Sequence, residues 1–272
     1  MTLSLPALTP VEETLWITLT GRAFDSRQPD PILGDTMADA LVRKTGYTND
    51  KLRWTKASCV EVAHRAKKLD EVARRFIARH PDAIGIDLGA GLDTRALRID
   101  TPPTVDWYDV DFPDVVAARR QLIPDRPHVH TIGADLTDPA WLQSLPADRP
   151  AVIVADGLMA FLAEADMISL LRWLTDHLRS GEIAFNVYNT FTVRAAKLAP
   201  SARFLVPLFK SAGFGSRDIV HWNPELTLME EIMLVREPEV AQYPPALRLW
   251  TRMAALSTSL SRLGTVVAHY RF

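Results

Sequence analysis

An acid, a one-residue spacer and two glycines stand together in the stretch Ile86-Asp87-Leu88-Gly89-Ala90-Gly91. A carboxylate beside a glycine turn can hold polar groups of a small ligand, and glycines let that ligand approach the backbone. A dinucleotide fingerprint requires a third glycine three residues on, where Thr94 stands. A phosphate loop fails as well, because no lysine follows the glycines. S-adenosyl-L-methionine fits what survives: it has no phosphate to cradle, but it has an amino-acid end and a ribose. For a glycine pair taken alone, the alternative is a plain strand–turn–helix without a ligand.

Three further acids follow apolar runs in the same way. Val105–Asp111 ends about 20 residues past the glycines, where an acid binds ribose hydroxyls. Two acids compete there, and Asp111 lies nearer the carboxyl end. Asp135, past His128–Ile132, can accept from an adenine amino group while the next backbone N–H, that of Leu136, meets a ring nitrogen. A turn or cap leading into Asp138-Pro139 explains the same residues equally well. Asp156-Gly157 closes the run Ala151–Ala155. Ligands of doubly wound sheets sit beyond the carboxyl ends of the strands, and all four of these ends carry an acid.

The acids need elements to hold them. Ala83–Leu88 reads as a short buried parallel strand, and Asp93 or Thr94 is expected to cap the helix after it. Further strands are expected at 105–111, 128–132, 151–155, 182–188, 217–222 and 264–272. Helices are expected at 112–122, 165–179, 190–198, 202–212 and about 246–263. Before the glycines, Thr9 and Pro10 open a helix reaching Ser26, a second short helix covers 35–44, and 45–55 reads as a polar loop. Arg22 and Arg27 read either as a basic helix end or as an anion clamp. From Ala57 to His80 the spacing of Val60, Ala63, Leu69, Val72 and Phe76 marks a long helix. Lys67, Lys68, Arg74 and Arg75 belong to its solvated face. Arg65 departs from that pattern, and a surface cation is its plain reading. Cys59 and His64 read as packing or surface residues. Residues 223–264 are long for a loop, so part of them is expected to pack over the ligand mouth.

At 272 residues the chain can bury a full core. A net charge of −2 gives no global field toward nucleic acid or an anionic membrane. The single cysteine excludes an internal disulfide and a multi-cysteine metal site, and no metal site is readable. Neither a signal peptide nor an 18-residue apolar run is present, so a cytoplasmic location is expected.

The segments IDLGAGLDTRALRID, DWYDVDFPDVV, GADLTDPAW and ADGLMAFL together resemble the leucine carboxyl methyltransferase family, nearest its branch of polyketide-synthesis O-methyltransferases. GRAFDSRQPDPILGD resembles that branch's opening helix and loop. The resemblance covers roughly residues 14–190. It implies an α/β class I methyltransferase (Rossmann-like) fold, with a doubly wound, mostly parallel sheet, an N-terminal helical extension over 1–80 and a helical lid on a core formed by 81–272. It implies that Gly89 and Gly91 line the methionine portion of the cofactor, that Asp111 holds the ribose, and that Asp135 and Leu136 flank the adenine. Arg65, in AHRAKKLDEV, is implied to grip the cofactor carboxylate. Asp156 matches a position usually held by glutamate near the cofactor amino group, one methylene longer. Phe161 and Leu97 stand where the family commonly has tyrosine.

The function so implied is S-adenosyl-L-methionine-dependent O-methylation of a carboxylate or phenol on a small molecule of secondary metabolism, releasing S-adenosyl-L-homocysteine. A carboxylate acceptor is already ionised and needs no base, whereas a phenol benefits from one. His64, His221, Asp156 and Tyr188 are candidates, and no pattern singles one out. A non-methylating reaction such as a cyclisation, or a protein that holds the cofactor without turnover, remain the alternatives. A homodimer is compatible with the sequence; a nucleic-acid or membrane partner is not expected.

Overall fold

The computed structural model describes residues 5–47, 55–198 and 205–272. The five apolar runs form β1 (Ile84–Leu88), β2 (Asp106–Asp111), β3 (Val129–Gly133), β4 (Ala151–Ala155) and β5 (Gly181–Val187). Two later strands, β6 (Thr227–Met233) and β7 (Val266–Arg271), complete one seven-stranded sheet in the order β3-β2-β1-β4-β5-β7-β6. Neighbours from β3 to β5 run parallel, while β7 lies antiparallel to both β5 and β6. The chain winds outward from β1 to β3 and then returns to β4. The switch point therefore lies at the carboxyl ends of β1 and β4, where doubly wound sheets bind ligands.

The helices are α1 (Leu15–Ser26), α2 (Thr36–Thr45), α3 (Lys56–Arg79), α4 (Arg95–Arg98), α5 (Pro113–Leu122), α6 (Glu164–His177), α7 (Thr190–Leu198), α8 (Ser216–Trp222), α9 (Pro245–Ala255) and α10 (Thr258–Ser261). Alternation along the strands separates two cores. Ile84, Ile86, Leu88 and Ile153 meet Leu170, Leu171 and Leu174 of α6 on one face. Val152, Val154 and Trp107 meet Leu69, Val72 and Phe76 of α3 on the other. Leu15, Leu19 and Ala23 of α1 pack with Leu41, Leu92, Val115 and Leu122, so the N-terminal helices are built onto the glycine turn and α5. No helix among the described residues is long and apolar enough to cross a membrane.

Several expectations are corrected. Residues 217–222 form helix α8, not a strand: Asp218 Oδ2 accepts from the Gly215 backbone N–H at 2.7 Å and caps the first turn, which favours a helix over a chain with strand-like composition. The helix expected over 202–212 is absent where described, because 205–212 hold only a 3-10 turn at Val206–Leu208; 202–204 lie outside the described residues, as do 48–54 of the polar loop. The run 246–263 divides into α9 and α10 at Leu256-Ser257. β6 lies inside the stretch 223–264, whose expected role was a cover. Lys68 is buried rather than solvated, held by Glu71, Glu237 and Glu239 at 3.0–3.2 Å.

Neither Asp93 nor Thr94 caps α4 with its side chain. Asp93 instead joins a buried ionic lattice in which Arg22, Arg95 and Arg98 face Asp35, Asp70, Asp87 and Asp93. Arg95 donates to Asp87 at 2.9 Å and also pairs with Asp70, while Arg98 reaches Asp70 at 2.7 Å and Asp35 and Asp93 at 2.8 Å. Three cations against four acids leave one carboxylate undercompensated. Burial pushes Asp87 up to about 7, against the pull of Arg95 and with repulsion from Asp93 and Asp109. Asp93 goes the other way: burial opposes it, but Arg22, Arg98 and Arg95 together hold it far below the usual carboxylate range.

Two outcomes are expected. A Cβ on Gly85 would stand 2.0 Å from Trp107 Cε3, so Gly85→Ala should lower unfolding free energy in urea by at least about 2 kcal/mol. Asp87 binds its proton more tightly folded than unfolded, so its stabilising contribution is complete below the ordinary carboxylate value near ~4 and is lost as pH rises through about 7. Asp87→Asn should therefore gain on wild type by on the order of 2–3 kcal/mol between about pH 5 and about pH 8, measured as the difference in urea unfolding at each pH.

Candidate functional site

A cavity of about 550 Å³ opens at the carboxyl ends of β1, β2 and β4. Its floor is the glycine turn. Gly89 and Gly91 have φ of 65° and 50°, a left-handed conformation that glycine adopts without steric cost. The turn is tied to β2 by Gly89 and Ala90 N–H groups donating to Val110 O at 2.8 and 3.2 Å. Asp111 accepts from Gly91 N at 2.6 Å and Phe112 N at 2.7 Å. Burial raises this carboxyl despite those two donors. Each of its oxygens keeps a lone pair for a further donor in the cavity.

The opposite wall is ionic. Arg65 reaches in from α3, and its Nε donates to Asp156 Oδ1 at 2.6 Å. Burial works against the guanidinium, but Asp156, Tyr188 and Glu61 outweigh it and keep it firmly charged. Tyr188 Oη lies 3.4 Å from Arg65 Nη1. Burial holds the Tyr188 proton above its ordinary value, although Arg65 opposes this. The other oxygen of Asp156, Oδ2, is buried and has no hydrogen-bond partner. An unsatisfied carboxylate oxygen is costly in a folded chain and marks a place for a donor from outside it. At the β3 end, Asp135 Oδ1 accepts from Thr137 N at 2.9 Å and Thr137 Oγ1 at 2.8 Å, closing an Asx turn, while Leu136 is buried beside it.

All seven residues singled out in the sequence (Arg65, Gly89, Gly91, Asp111, Asp135, Leu136 and Asp156) line this one cavity. Other expectations fail. Arg22 is buried in the ionic lattice and donates to Leu92 O at 3.0 Å, and Arg27 is an exposed partner of Asp39, so neither is a free anion clamp. His64 lies outside the cavity, bonded to Tyr243 Oη at 2.7 Å, and His221 is on the surface of α8. No described residue of 223–264 lines the cavity; β6 completes the sheet edge instead. Thr192, Val193 and Ala196 of α7 and the strap Leu205–Lys210 form the roof in its place. Lys210 and Ser211 N–H groups donate to Ala160 O at 3.0 and 3.2 Å and anchor the strap. Phe161 and Phe209 face each other at 5.7 Å, with Tyr188 6.5 Å from Phe209, giving that end an aromatic lining. Phe209 is not singled out in the sequence, where it falls inside the helix expected over 202–212, and its place in the roof follows from the strap that stands there instead. Among the described residues no group of His, Cys, Asp and Glu is arranged to hold a metal.

The family model for leucine carboxyl methyltransferase matches residues 16–175. The tetracenomycin polyketide synthesis O-methyltransferase TcmP of Streptomyces glaucescens is 38% identical over 265 residues, covering 97% of this chain and 98% of that protein. The S-adenosyl-L-methionine-dependent methyltransferase dpfgK of Gibberella zeae is 35% identical over 198 residues, 66% of each chain. Among solved structures, a SAM-dependent methyltransferase from Anabaena variabilis matches with a TM-score of 0.51 at 14% identity, covering 85% of this chain and 87% of that one. Magnesium protoporphyrin IX methyltransferase of Synechocystis matches with a TM-score of 0.51 at 10% identity, covering 87% and 95%. These two likenesses concern the fold alone. An acid-lined cavity at the switch point of a 3-2-1-4-5-7-6 sheet and the family match agree: the chain belongs to the leucine carboxyl methyltransferase family and is an S-adenosyl-L-methionine-dependent methyltransferase.

Proposed function

We propose that the cavity binds S-adenosyl-L-methionine across its floor and ionic wall, and that the enzyme methylates a carboxylate oxygen of a small, largely apolar acid of secondary metabolism. The observation that carries this reading is the pair Arg65–Asp156. A guanidinium with free N–H groups stands beside a carboxylate oxygen without a partner, which is the complement of a zwitterionic amino-acid end. Arg65 then takes the cofactor carboxylate and Asp156 Oδ2 the amino group. The shorter aspartate still serves because Arg65 holds it at 2.6 Å. Gly89 and Gly91 give the methionine chain room, Asp111 accepts from the ribose hydroxyls through its remaining lone pairs, and Asp135 and Leu136 flank the adenine. The helices of 1–80 act with the 81–272 core as one unit, since Arg65 and the α1 residues beside the glycine turn come from the extension.

The cofactor supplies an electrophilic sulfonium methyl; this chain supplies alignment and exclusion of water. The acids around the cavity suit a cationic centre. The aromatic roof of Phe161, Phe209 and Tyr188 suits a planar apolar acceptor. Among the described lining residues none is a histidine, and Tyr188 keeps its proton, so it can donate to an acceptor oxygen but not deprotonate it. That composition favours an acceptor already ionised at neutral pH. The name of TcmP, a polyketide synthesis O-methyltransferase, fits an oxygen acceptor on a small molecule of secondary metabolism.

Calorimetric titration tests the cofactor site. Wild type should bind S-adenosyl-L-methionine, and Arg65→Ala should weaken it by on the order of 1–3 kcal/mol, about 5- to 150-fold. Equal binding by the two would remove Arg65 from the site. The acceptor class is tested by release of S-adenosyl-L-homocysteine with a panel of aromatic acids and phenols. Turnover of an acid should be flat from about pH 6 to about pH 9, whereas a rate that climbs with pH and favours phenols would refute a carboxylate acceptor.

A further inference from the structure

The outer face of α9 and α10 is unlike the rest of the surface. α9 turns small residues, Thr251 and Ala254, toward the protein. Its opposite side presents Leu249 at 64% exposure, Trp250 at 49%, Met253 at 54% and Leu256 at 87%. Leu260 and Leu263 continue the stripe along α10 and the turn after it. Phe191, also exposed, adjoins it at the start of α7. That junction is fixed by Asn189 Nδ2 donating to Arg262 O at 2.6 Å and Thr192 Oγ1 donating to Leu263 O at 3.3 Å.

These side chains together uncover apolar surface on the order of ~800 Å², about what each partner of a standard interface contributes. The largest apolar patch of a typical monomer is only about 300–600 Å². Composition points the same way. Residues 240–272 contain no Asp or Glu, and neither do residues 183–217, although the whole chain is close to neutral. Leucine, methionine and aromatics flanked by arginine, with acids missing, is the make-up of an interface core.

We propose that this face docks a second copy of the chain, and that the contact braces α7 over the cavity. A two-fold axis sets the same patch against itself, so apolar stripe meets apolar stripe without a complementary surface elsewhere. Arg248 and Arg252 flank the stripe rather than interrupt it, and guanidinium groups can lie over the exposed rings of Trp250 and Phe191. The consequence for the site runs through α7. Its inner side, Thr192, Val193 and Ala196, roofs the cavity, while its first turn is bonded to the end of α10.

Sedimentation equilibrium of the full chain across micromolar concentrations tests this, with Trp250→Glu/Met253→Glu as the variant. Both side chains are exposed, so the variant should keep the wild-type melting temperature; should it not, Leu256→Arg repeats the experiment at the most exposed position. Wild type should sediment at twice the chain mass and the variant at the single mass. Hydrogen exchange of the α7 amides should be about 10-fold faster in the variant. A wild type that stays at single mass overturns the proposal, as does a dimer that survives the substitutions. A dimer lost without any change in α7 exchange overturns the bracing. A monomer that co-sediments with phosphatidylglycerol vesicles but not with phosphatidylcholine ones assigns the face to an anionic bilayer and overturns it as well.

Discussion

The whole site depends on holding one backbone turn still. Gly89-Ala90-Gly91 has two left-handed residues, no side chains of its own at those glycines, and only the four-residue α4 after it. Nothing local fixes such a segment. Buried arginines do it from outside. Arg119 donates to the carbonyls of Gly91 at 2.7 Å, Asp93 at 2.8 Å and Ala90 at 3.3 Å, and is itself held by Asp109. Arg22 takes Leu92 O from the side of α1. The lattice of Arg95 and Arg98 then ties the same loop to α3 through Asp70 and to the start of α2 through Asp35. Desolvating so many charges is costly, and apolar residues of similar volume are often as stabilising. What an apolar core does not supply is a set of donors aimed at main-chain oxygens, which is what this turn requires.

The cavity divides along the same logic. Its floor and ionic wall are made by groups whose positions are over-determined: Asp111 by two backbone donors, Arg65 by Asp156, the glycines by β2. Its roof is made by α7 and a strap with a single short 3-10 turn, anchored at one end by Ala160 O. A rigid half suits a ligand that never changes, and a lightly tied half suits one that must enter and leave.

In the parallel half of the sheet β1 and β4 were legible because they are buried on both faces and read as short, mainly apolar runs with an acid at or just past their ends, while the partly buried β2 and β3 were placed by the acids that close them. β4, AVIVA, is the clearest instance. The four acids at strand ends mark one end of the sheet, and a cavity lined by all four opens there. The carboxyl-terminal third was not legible. β6, TLMEEIM, is an edge strand whose adjacent Glu230, exposed, and Glu231, half-buried against Arg262, mask its period, and Ser216–Trp222 has β-favouring composition overruled by an Asp218 cap. Lys68 looked solvated because its three acidic partners, two of them about 170 residues away, could not be placed beside it. Arg65 departs from the solvated face of its basic neighbours in the helical pattern, but only the family resemblance attached a role to it. The free oxygen of Asp156, on which the cofactor reading rests, is a property of geometry and leaves no trace in spacing.

α3 carries Arg65 into the cavity, Asp70 into the lattice, and His64 and Lys68 against the turn that follows β6, all within two turns of helix. A helix advances about 100° per residue, so inserting or deleting one residue there would misdirect all of these contacts at once. Length variation in descendants of this chain is thus closed at α3 and open at the strap, where 205–210 make few ties to anything but the roof. In the proposed site the strap can be remodelled for a different acceptor without moving the floor or the ionic wall, because none of those α3 contacts runs through it.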